Sequence, residues 1–181
     1  MDRLFFALQP DAETAARIHA LALRLRGVLA LQGRPLAVER LHVTLCFLGN
    51  HPALPPDLVA AADAAAKTLS CAAFELCFDQ VMSFGSSRDL SGRATAVVLC
   101  CDEDCAPLSA LRNQLAAALS RTGKFQLEAR SFKPHVTLLY DRHAVSPQEV
   151  AATCWTAREF VLVHSLVGKS EHRVLGRYAL H

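Results

Sequence analysis

The side chains of this chain best suited to catalysis lie in one four-residue string that occurs twice. The string HVTL occupies residues 42–45 and again residues 135–138, an offset of 93. Both copies lie among apolar and β-branched residues, a composition that favours β-strands. Because side chains alternate between the two faces of a strand, each histidine shares a face with the threonine two residues later. If the two copies face each other, they hold two imidazoles and two hydroxyls across a gap.

The two strings lie at matching positions of a duplicated unit. A predicted strand over residues 3–8 matches one over 94–99, and a predicted helix over 11–32 matches one over 103–122. The apolar residues of both helices follow 3-4-3 intervals, as in an amphipathic helix: Ile18, Leu21, Leu25 and Val28 in the first, and Leu108, Leu111, Leu115 and Ala118 in the second. Repetition at a nearly constant offset indicates an internal duplication of an α+β unit.

The remaining segments complete this unit. Strands are predicted over residues 74–82, 160–167 and 173–180, a helix from residue 56 to about residue 70, and a polar loop over 83–93. Ser146-Pro147-Gln148-Glu149 matches a capping box with proline at the first helical position, which predicts a short helix to about Cys154.

The pattern predicts an α+β fold of two similar lobes. Each lobe would carry an antiparallel sheet with flanking helices, and a pseudo-two-fold axis would relate the two sheets. Such an axis would set the two HVTL strands opposite each other and place an active-site cleft between the lobes. No segment has the composition of an interdomain linker, so residues 1–181 are expected to form a single bilobal domain.

Composition restricts the possible functions. The chain is 52% hydrophobic and 20% charged, with a net charge of +2, which is typical of an ordinary globular protein and does not favour a protein that coats duplex nucleic acid. No apolar run approaches the roughly 20 residues that span a membrane, and residues 1–5 lack the features of a signal peptide. We therefore expect a cytoplasmic protein.

The seven cysteines indicate neither a disulfide framework nor a metal site. Most of them lie in apolar stretches, and no C-x-x-C pair occurs. Reduced, mostly buried thiols are the expectation for such a chain. Histidines and cysteines with the clustered spacing of a zinc site are absent from the sequence, so we predict no metal ligands.

Nearly the whole chain resembles the 2H phosphoesterase superfamily, which is defined by two H-x-[TS]-x motifs in a duplicated fold. More narrowly, it resembles the bacterial RNA 2′,3′-cyclic phosphodiesterases, also called 2′-5′ RNA ligases or LigT-like proteins. The resemblance lies in the opening strand at residues 3–8, the motifs at 41–49 and 132–138, and the ending with Arg173-Val174-Leu175 and Tyr178. One departure is the absence of an aromatic residue from residues 94–99, where relatives often carry tryptophan.

The resemblance implies hydrolysis of RNA 2′,3′-cyclic phosphate ends to 2′-phosphomonoesters, with no metal or other cofactor. Imidazole titrates near neutral pH, so one histidine could accept a proton from water while the other protonates the departing O3′. Our hypothesis is that His135 is the base and His42 the acid. The hydroxyls of Thr44 and Thr137 could donate hydrogen bonds to the phosphate oxygens, where charge develops. The resemblance also implies the reverse reaction, an ATP-independent 2′-5′ RNA ligation.

Substrate-binding residues are predicted around the second motif. Basic residues gather there: Arg121, Lys124, Arg130, Lys133 and Arg142. A solvated surface accounts for such a cluster equally well, but Arg130 and Lys133 lead directly into the His135 strand and are the predicted phosphate contacts. Phe47 and Tyr140 alternate onto the apolar faces of their strands, which favours core packing over base stacking. The six other histidines have no spacing that indicates a site.

Three other functions are compatible with parts of the sequence. The same catalytic residues could serve a phosphodiesterase for 2′-5′ oligonucleotides or ADP-ribose cyclic phosphate. A non-catalytic RNA-binding module would not need two imidazoles, and a metal hydrolase would lose activity with a chelator. The expected partner is an RNA or oligonucleotide with a 2′,3′-cyclic phosphate end, such as a tRNA half, bound by a monomer without a membrane.

Overall fold

A computed structural model of the chain shows an α+β protein and describes residues 1–84, 94–101, 105–126, 132–169 and 171–181. The strands are β1 (Asp2–Leu8), β2 (Val43–His51), β3 (Phe74–Phe84), β4 (Thr95–Cys100), β5 (His135–Asp141), β6 (Gln148–Ala157), β7 (Glu159–Leu166) and β8 (Glu171–Ala179). The helices are α1 (Ala12–Val28), α2 (Pro56–Ala66) and α3 (Ala106–Arg121), and a short 3-10 turn covers Val38–Arg40. Among these described helices, none has the length and apolar character needed to cross a membrane.

The eight strands form one antiparallel sheet made of two four-stranded halves. The strand order is β6-β3-β4-β5-β2-β1-β7-β8. We call β2-β1-β7-β8 the first lobe and β5-β4-β3-β6 the second lobe. They meet where Val43 of β2 pairs with Val136 of β5, a junction that we call the seam. The predicted α+β class with two antiparallel halves is confirmed, and the seam joins the two predicted sheets into one.

The seam has the local symmetry that a duplication predicts. Val43 and Val136 hold the same position in the two HVTL strings, and they pair with each other in antiparallel orientation. Two equivalent residues can pair in this way only if a local two-fold axis passes between them. The strand order on either side of the seam repeats accordingly, with β1 matching β4, β7 matching β3 and β8 matching β6.

The helices cover one face of the sheet and leave the other face to the histidines. Asp11 caps α1, since its carboxylate accepts a hydrogen bond from the Thr14 amide at 2.8 Å. Helix α1 packs on β5 and β6 of the second lobe, and α3 packs on β2 of the first. Each repeat therefore places its helix beneath the other lobe. The buried residues on these two helices include Ile18, Leu21 and Leu25 on α1 and Leu108, Leu111, Leu115, Ala118 and Leu119 on α3. The apolar residues predicted at 3-4-3 intervals on the two helices are thus confirmed as buried, except that Val28 is exposed at the end of α1.

The helix predicted after Ser146 is wrong, because Gln148–Ala157 forms strand β6. This strand pairs antiparallel with β3 and buries Trp155 against Phe78, with the ring centroids 5.4 Å apart. A capping box is a local signal of about 1 kcal/mol, which a full strand pairing outweighs. The predicted loop over 83–93 begins later, since Ser83 and Phe84 belong to β3, and its remainder lies outside the described residues.

The expectation that all cysteines are reduced is wrong for one pair. Cys77 of β3 and Cys154 of β6 are directly paired across the two strands and form a disulfide. The other cysteines lie outside this disulfide: Cys46, Cys71, Cys100, Cys101 and Cys105, of which Cys46 and Cys100 are buried. Within the described ranges, one group has its potential metal-binding atoms close together, namely Glu75 with these two bonded cysteines, and it contains no histidine.

Candidate active site

The seam brings the four predicted catalytic residues together. In the antiparallel register on either side of the Val43–Val136 pair, His42 lies opposite Thr137 and Thr44 lies opposite His135. Directly opposed residues have Cβ atoms about 4.5–5.5 Å apart. The two valines are fully buried on the helix side, and the four polar residues are half-buried on the other side. We call this second side of the sheet the site face.

Both imidazoles are held by the backbone in the same way. Nδ1 of His42 donates to the Arg40 carbonyl oxygen at 2.6 Å, and Nδ1 of His135 donates to the Lys133 carbonyl oxygen at 2.8 Å. A carbonyl only accepts, so the hydrogen of the neutral ring is on Nδ1 in both residues. The Nε2 atom of each ring therefore remains as the one that can accept or deliver a proton.

One aromatic ring packs on each histidine, but the two rings come from different strands. Phe5 of β1 stacks on His42 with a centroid distance of 5.0 Å, and Phe84 of β3 meets His135 edge to face at 4.5 Å. Ala96 is the counterpart of Phe5 in the second lobe, and Phe84 is its direct cross-strand neighbour. Phe84 therefore supplies the aromatic contact that residues 94–99 lack.

A third histidine, His172 of β8, belongs to the same group of rings. It contacts His42 edge to face at 5.3 Å and Phe5 at 5.6 Å. No spacing in the sequence indicates this residue, because its position depends on how the outer strand of the first lobe lies over Phe5. On the site face, Phe5 also forms a small buried apolar cluster with Ala7, Val161 and Val163.

The surroundings favour neutral imidazoles in the free protein. Burial is the main cause that lowers the pKa of His42, and the positive charges of His135 and Arg40 add to it, while the Arg40 carbonyl opposes it. Burial also lowers the pKa of His135, and the Lys133 carbonyl opposes it. For His172, burial followed by the charges of His42 and Arg40 lowers the pKa to about 4.

Of the two predicted substrate-binding residues, the structure describes one. Lys133 lies at the site, with its Nζ 3.7 Å from the Sδ of Met82, a residue on the site face. Arg130 lies outside the described residues. Of the other basic residues near the second motif, Lys124 pairs with Asp57 at 2.5 Å on the surface.

The prediction that Phe47 and Tyr140 pack in the core is wrong. These residues are 49% and 52% exposed. A β-bulge at Leu45 in β2, and another at Leu138 in β5, places two successive residues toward the core and reverses the alternation beyond it. Phe47 and Tyr140 consequently lie on the site face, each five residues after a motif histidine.

A two-lobed antiparallel sheet with one His-x-Thr motif in each lobe, meeting at a local two-fold axis, defines a 2H phosphoesterase. A model of the 2′-5′ RNA ligase superfamily matches residues 10–168, and the chain belongs to that family.

Relatives of known structure and function agree with this assignment. The RNA 2′,3′-cyclic phosphodiesterase of Escherichia coli (strain K12) is 31% identical over 182 residues, which cover 98% of this chain and 96% of the relative. The structure of E. coli LigT with 3′-AMP is 30% identical, covers 99% of this chain and 98% of its own, and superposes with a TM-score of 0.77. The TT0787 protein of Thermus thermophilus has a TM-score of 0.75 at 22% identity, covers 98% and 97%, and supports the fold alone.

Proposed function

We propose that this protein hydrolyses RNA 2′,3′-cyclic phosphate ends to 2′-phosphomonoesters. The observation that carries the proposal is the pairing at the seam, which sets two imidazoles with free Nε2 atoms beside two threonine hydroxyls. The E. coli relative, described as an RNA 2′,3′-cyclic phosphodiesterase, supports the same substrate. The enzyme is accordingly a phosphoric diester hydrolase.

The reaction is an in-line displacement at phosphorus. His135 accepts a proton from water as the water oxygen forms its bond to phosphorus. The bond from phosphorus to O3′ breaks, and His42 delivers its proton to O3′, which leaves the phosphate on O2′. The hydroxyls of Thr44 and Thr137 donate hydrogen bonds to the non-bridging oxygens, where charge builds in the transition state. Both proton transfers are made by imidazoles, so the mechanism calls for no metal ion.

The acid role of His42 depends on the bound substrate. The free protein favours the neutral form of this ring, because burial and the charges of His135 and Arg40 lower its pKa. A phosphate anion placed beside the ring favours the protonated form. Binding of the cyclic phosphate therefore supplies the electrostatic condition for a protonated His42 facing a neutral His135.

The substrate extends beyond the reacting phosphate. Lys133 and Arg130 are the proposed contacts to phosphate groups on the side of the second motif. Phe47 and Tyr140 are exposed aromatic rings on the site face, and base–aromatic stacking is the natural use of such rings in RNA recognition. Two stacking positions related by the local two-fold axis would also suit the two nucleosides joined in a reverse 2′-5′ ligation.

The remaining features of the proposal concern the whole protein. Residues 1–181 act as a single bilobal domain with the active-site cleft between the lobes. The protein works as a cytoplasmic monomer, and tRNA halves that end in a 2′,3′-cyclic phosphate are its proposed RNA substrates.

A turnover assay with the four nucleoside 2′,3′-cyclic phosphates tests the proposal. The expected product is the 2′-monophosphate, and His42→Ala and His135→Ala should each lower kcat at least about 100-fold, since each removes a proton transfer. His143→Ala is the matched control, because the side chain of His143 is 80% exposed. Near-wild-type turnover by either motif variant would overturn the two-histidine mechanism.

The same assay separates the alternatives. Turnover of a 2′-5′-linked dinucleotide or of ADP-ribose cyclic phosphate, without turnover of nucleoside 2′,3′-cyclic phosphates, would replace the proposed substrate. Activity that is lost with a chelator and restored by zinc would replace the metal-free mechanism.

A further inference from the structure

Arg40 is a half-buried cation for which the described part of the chain provides no counter-ion. Its carbonyl oxygen holds His42, but its guanidinium forms no hydrogen bond or ion pair with any described residue, and its Nε is enclosed. An N–H group that is enclosed without an acceptor is costly. The arrangement therefore points to an anion that arrives with a ligand.

Arg40 lies close to two histidine residues, because its carbonyl oxygen binds His42 and its turn, Val38–Arg40, contacts β8, the strand that carries His172. The charge of Arg40 lowers the pKa of both His42 and His172, after the larger effect of burial. The ring of His172 makes aromatic contacts but no hydrogen bond with the described residues, so its N–H group is available to a ligand.

Arg40 and His172 extend the site away from the seam. His135 is on β5 and His42 on β2, the two strands that meet at the seam, whereas His172 is on β8 at the outer edge of the first lobe. A ligand whose reacting phosphate lies between His42 and His135 would reach Arg40 and His172 only by continuing outward past His42.

We propose that Arg40 and His172 form a second phosphate-binding position that holds the 5′-phosphate of the nucleotide whose 2′,3′-cyclic phosphate lies at the seam. This inference rests on the proposed function. One ribose separates the two phosphates of such a nucleotide, so both can be bound at once on adjacent parts of the site face. The guanidinium donates to phosphate oxygens in a fork geometry, and the uncharged His172 adds one N–H donor. The position distinguishes an RNA end, which has this phosphate, from a nucleoside cyclic phosphate, which lacks it.

Two substrates that differ by one phosphate test this position. Adenosine 2′,3′-cyclic phosphate and its 5′-phosphorylated form are compared by kcat/KM. The wild-type protein should prefer the 5′-phosphorylated form about tenfold or more, as expected for hydrogen bonds to a charged group. The readout is the ratio between the two substrates, because a general loss of activity or folding lowers both values together.

The variants separate charge from packing. Arg40→Gln should reduce the ratio to about one, and Arg40→Lys should keep part of it, since a lysine retains the charge without the fork. His172→Phe preserves the ring contacts with His42 and Phe5 but removes the N–H donor, and it should leave an intermediate ratio. Arg24→Gln is the matched control, because Arg24 is an exposed residue of α1, a helix that packs on the face of the sheet opposite the site face. A ratio near one in the wild-type protein, or a ratio that Arg40→Gln leaves unchanged, would overturn the inference.

A binding measurement decides the inference independently of turnover. Calorimetry compares adenosine 2′-phosphate with adenosine 2′,5′-bisphosphate, which are the products of the two reactions. Tighter binding of the bisphosphate by about tenfold, lost in Arg40→Gln, would support the second position, and equal affinities in the wild-type protein would contradict it. Absence of turnover with either cyclic phosphate would refute the proposed function, while the two affinities would still decide the second position.

Discussion

At the scale of single residues, the lowered imidazole pKa values give the pH dependence of the reaction. Burial is the first cause for both motif histidines. The mechanism needs one neutral and one protonated ring in a coupled pair, so kcat/KM should follow a bell-shaped profile centred below about pH 6.5, the ordinary value for histidine. Arg40→Gln removes a positive charge near His42 and should move the profile to higher pH, whereas Arg24→Gln should not. A wild-type profile centred well above the ordinary histidine value would contradict this prediction.

The exposed aromatic rings give a prediction that separates binding from folding. Phe47→Ala and Tyr140→Ala should each raise KM for a cyclic phosphate dinucleotide several-fold or more, because stacking of one base is worth about 1–3 kcal/mol. Both should leave the denaturant midpoint nearly unchanged, because half of each side chain is already in solvent. The matched comparison is Leu45→Ala, which removes a buried side chain and should cost about 2–5 kcal/mol of unfolding free energy. Comparable losses of stability in all three variants would show that the two rings contribute to the core as Leu45 does.

Residue identity predicts the candidate side chains that meet at the seam better than it predicts their neighbours. His42, Thr44, His135 and Thr137 follow from a repeated string and from strand alternation. The aromatic contacts around the two motif histidines join segments that are far apart in sequence, and no local pattern encodes them. Alternation itself fails beyond a bulge, which is why the exposed rings of β2 and β5 lie on the face opposite to the predicted one.

At the scale of secondary structure elements, the Cys77–Cys154 disulfide fastens an edge strand to its neighbour. Its loop closes a sequence separation of 77 residues, and a crosslink of this kind stabilises a protein by about 2–4 kcal/mol. Denaturant unfolding of the oxidised protein should weaken by that amount when reductant is added, and the Cys77→Ser/Cys154→Ser variant should not respond. Cys71→Ser is the control and should respond like the wild-type protein. Titration of all seven cysteines as thiols in the untreated, denatured protein would contradict the disulfide.

In strand β6, pairing with the sheet overrides the local helix-capping signal. Ser146 to Glu149 has the residues of a helix start, yet Gln148 already pairs with Val81. Strand β3 is long, and without β6 it would be an unpaired edge. Its partner is provided by a segment that lies far along the chain, beyond β4, α3 and β5, a pairing that periodicity alone does not reveal.

At the scale of the whole molecule, the two repeats are interleaved. Strand β3 leaves the first repeat to pair with β4, and β7 leaves the second repeat to pair with β1. The helices cross in the same way, with α1 beneath the second lobe and α3 beneath the first. The duplication was predictable from matching offsets. The exchange of β3 and β7 between the repeats was not, because these equivalent strands have similar apolar patterns. The exchange leaves each lobe incomplete without the other repeat.

The carboxylate of Asp141 links the two repeats. This residue of β5 is 3% exposed and accepts hydrogen bonds from the amides of Gln32 and Gly33, both at 2.6 Å, and of His143 at 2.8 Å. Burial alone would raise the pKa of Asp141, but the three amides together hold it below the ordinary value. Because the folded-state pKa is the lower one, the stabilisation is complete above the unfolded pKa of about 3.9 and is lost as the pH falls through the folded value.

Asp141→Asn should therefore destabilise the protein at neutral pH by about 1–3 kcal/mol, since a buried acceptor of three amides is replaced by a poorer one. The difference between wild type and variant should shrink as the pH falls below about 4, because the carboxyl of the unfolded wild-type chain then binds a proton and that of the folded protein follows at lower pH. Urea unfolding of both proteins at pH 7, 5 and 3 measures this difference. Asp57→Asn is the control, since Asp57 is an exposed partner of Lys124 and such surface pairs contribute about 0–1 kcal/mol. A difference for Asp141→Asn that is the same at pH 3 and pH 7 would show that shape, and not charge, links the repeats at this point.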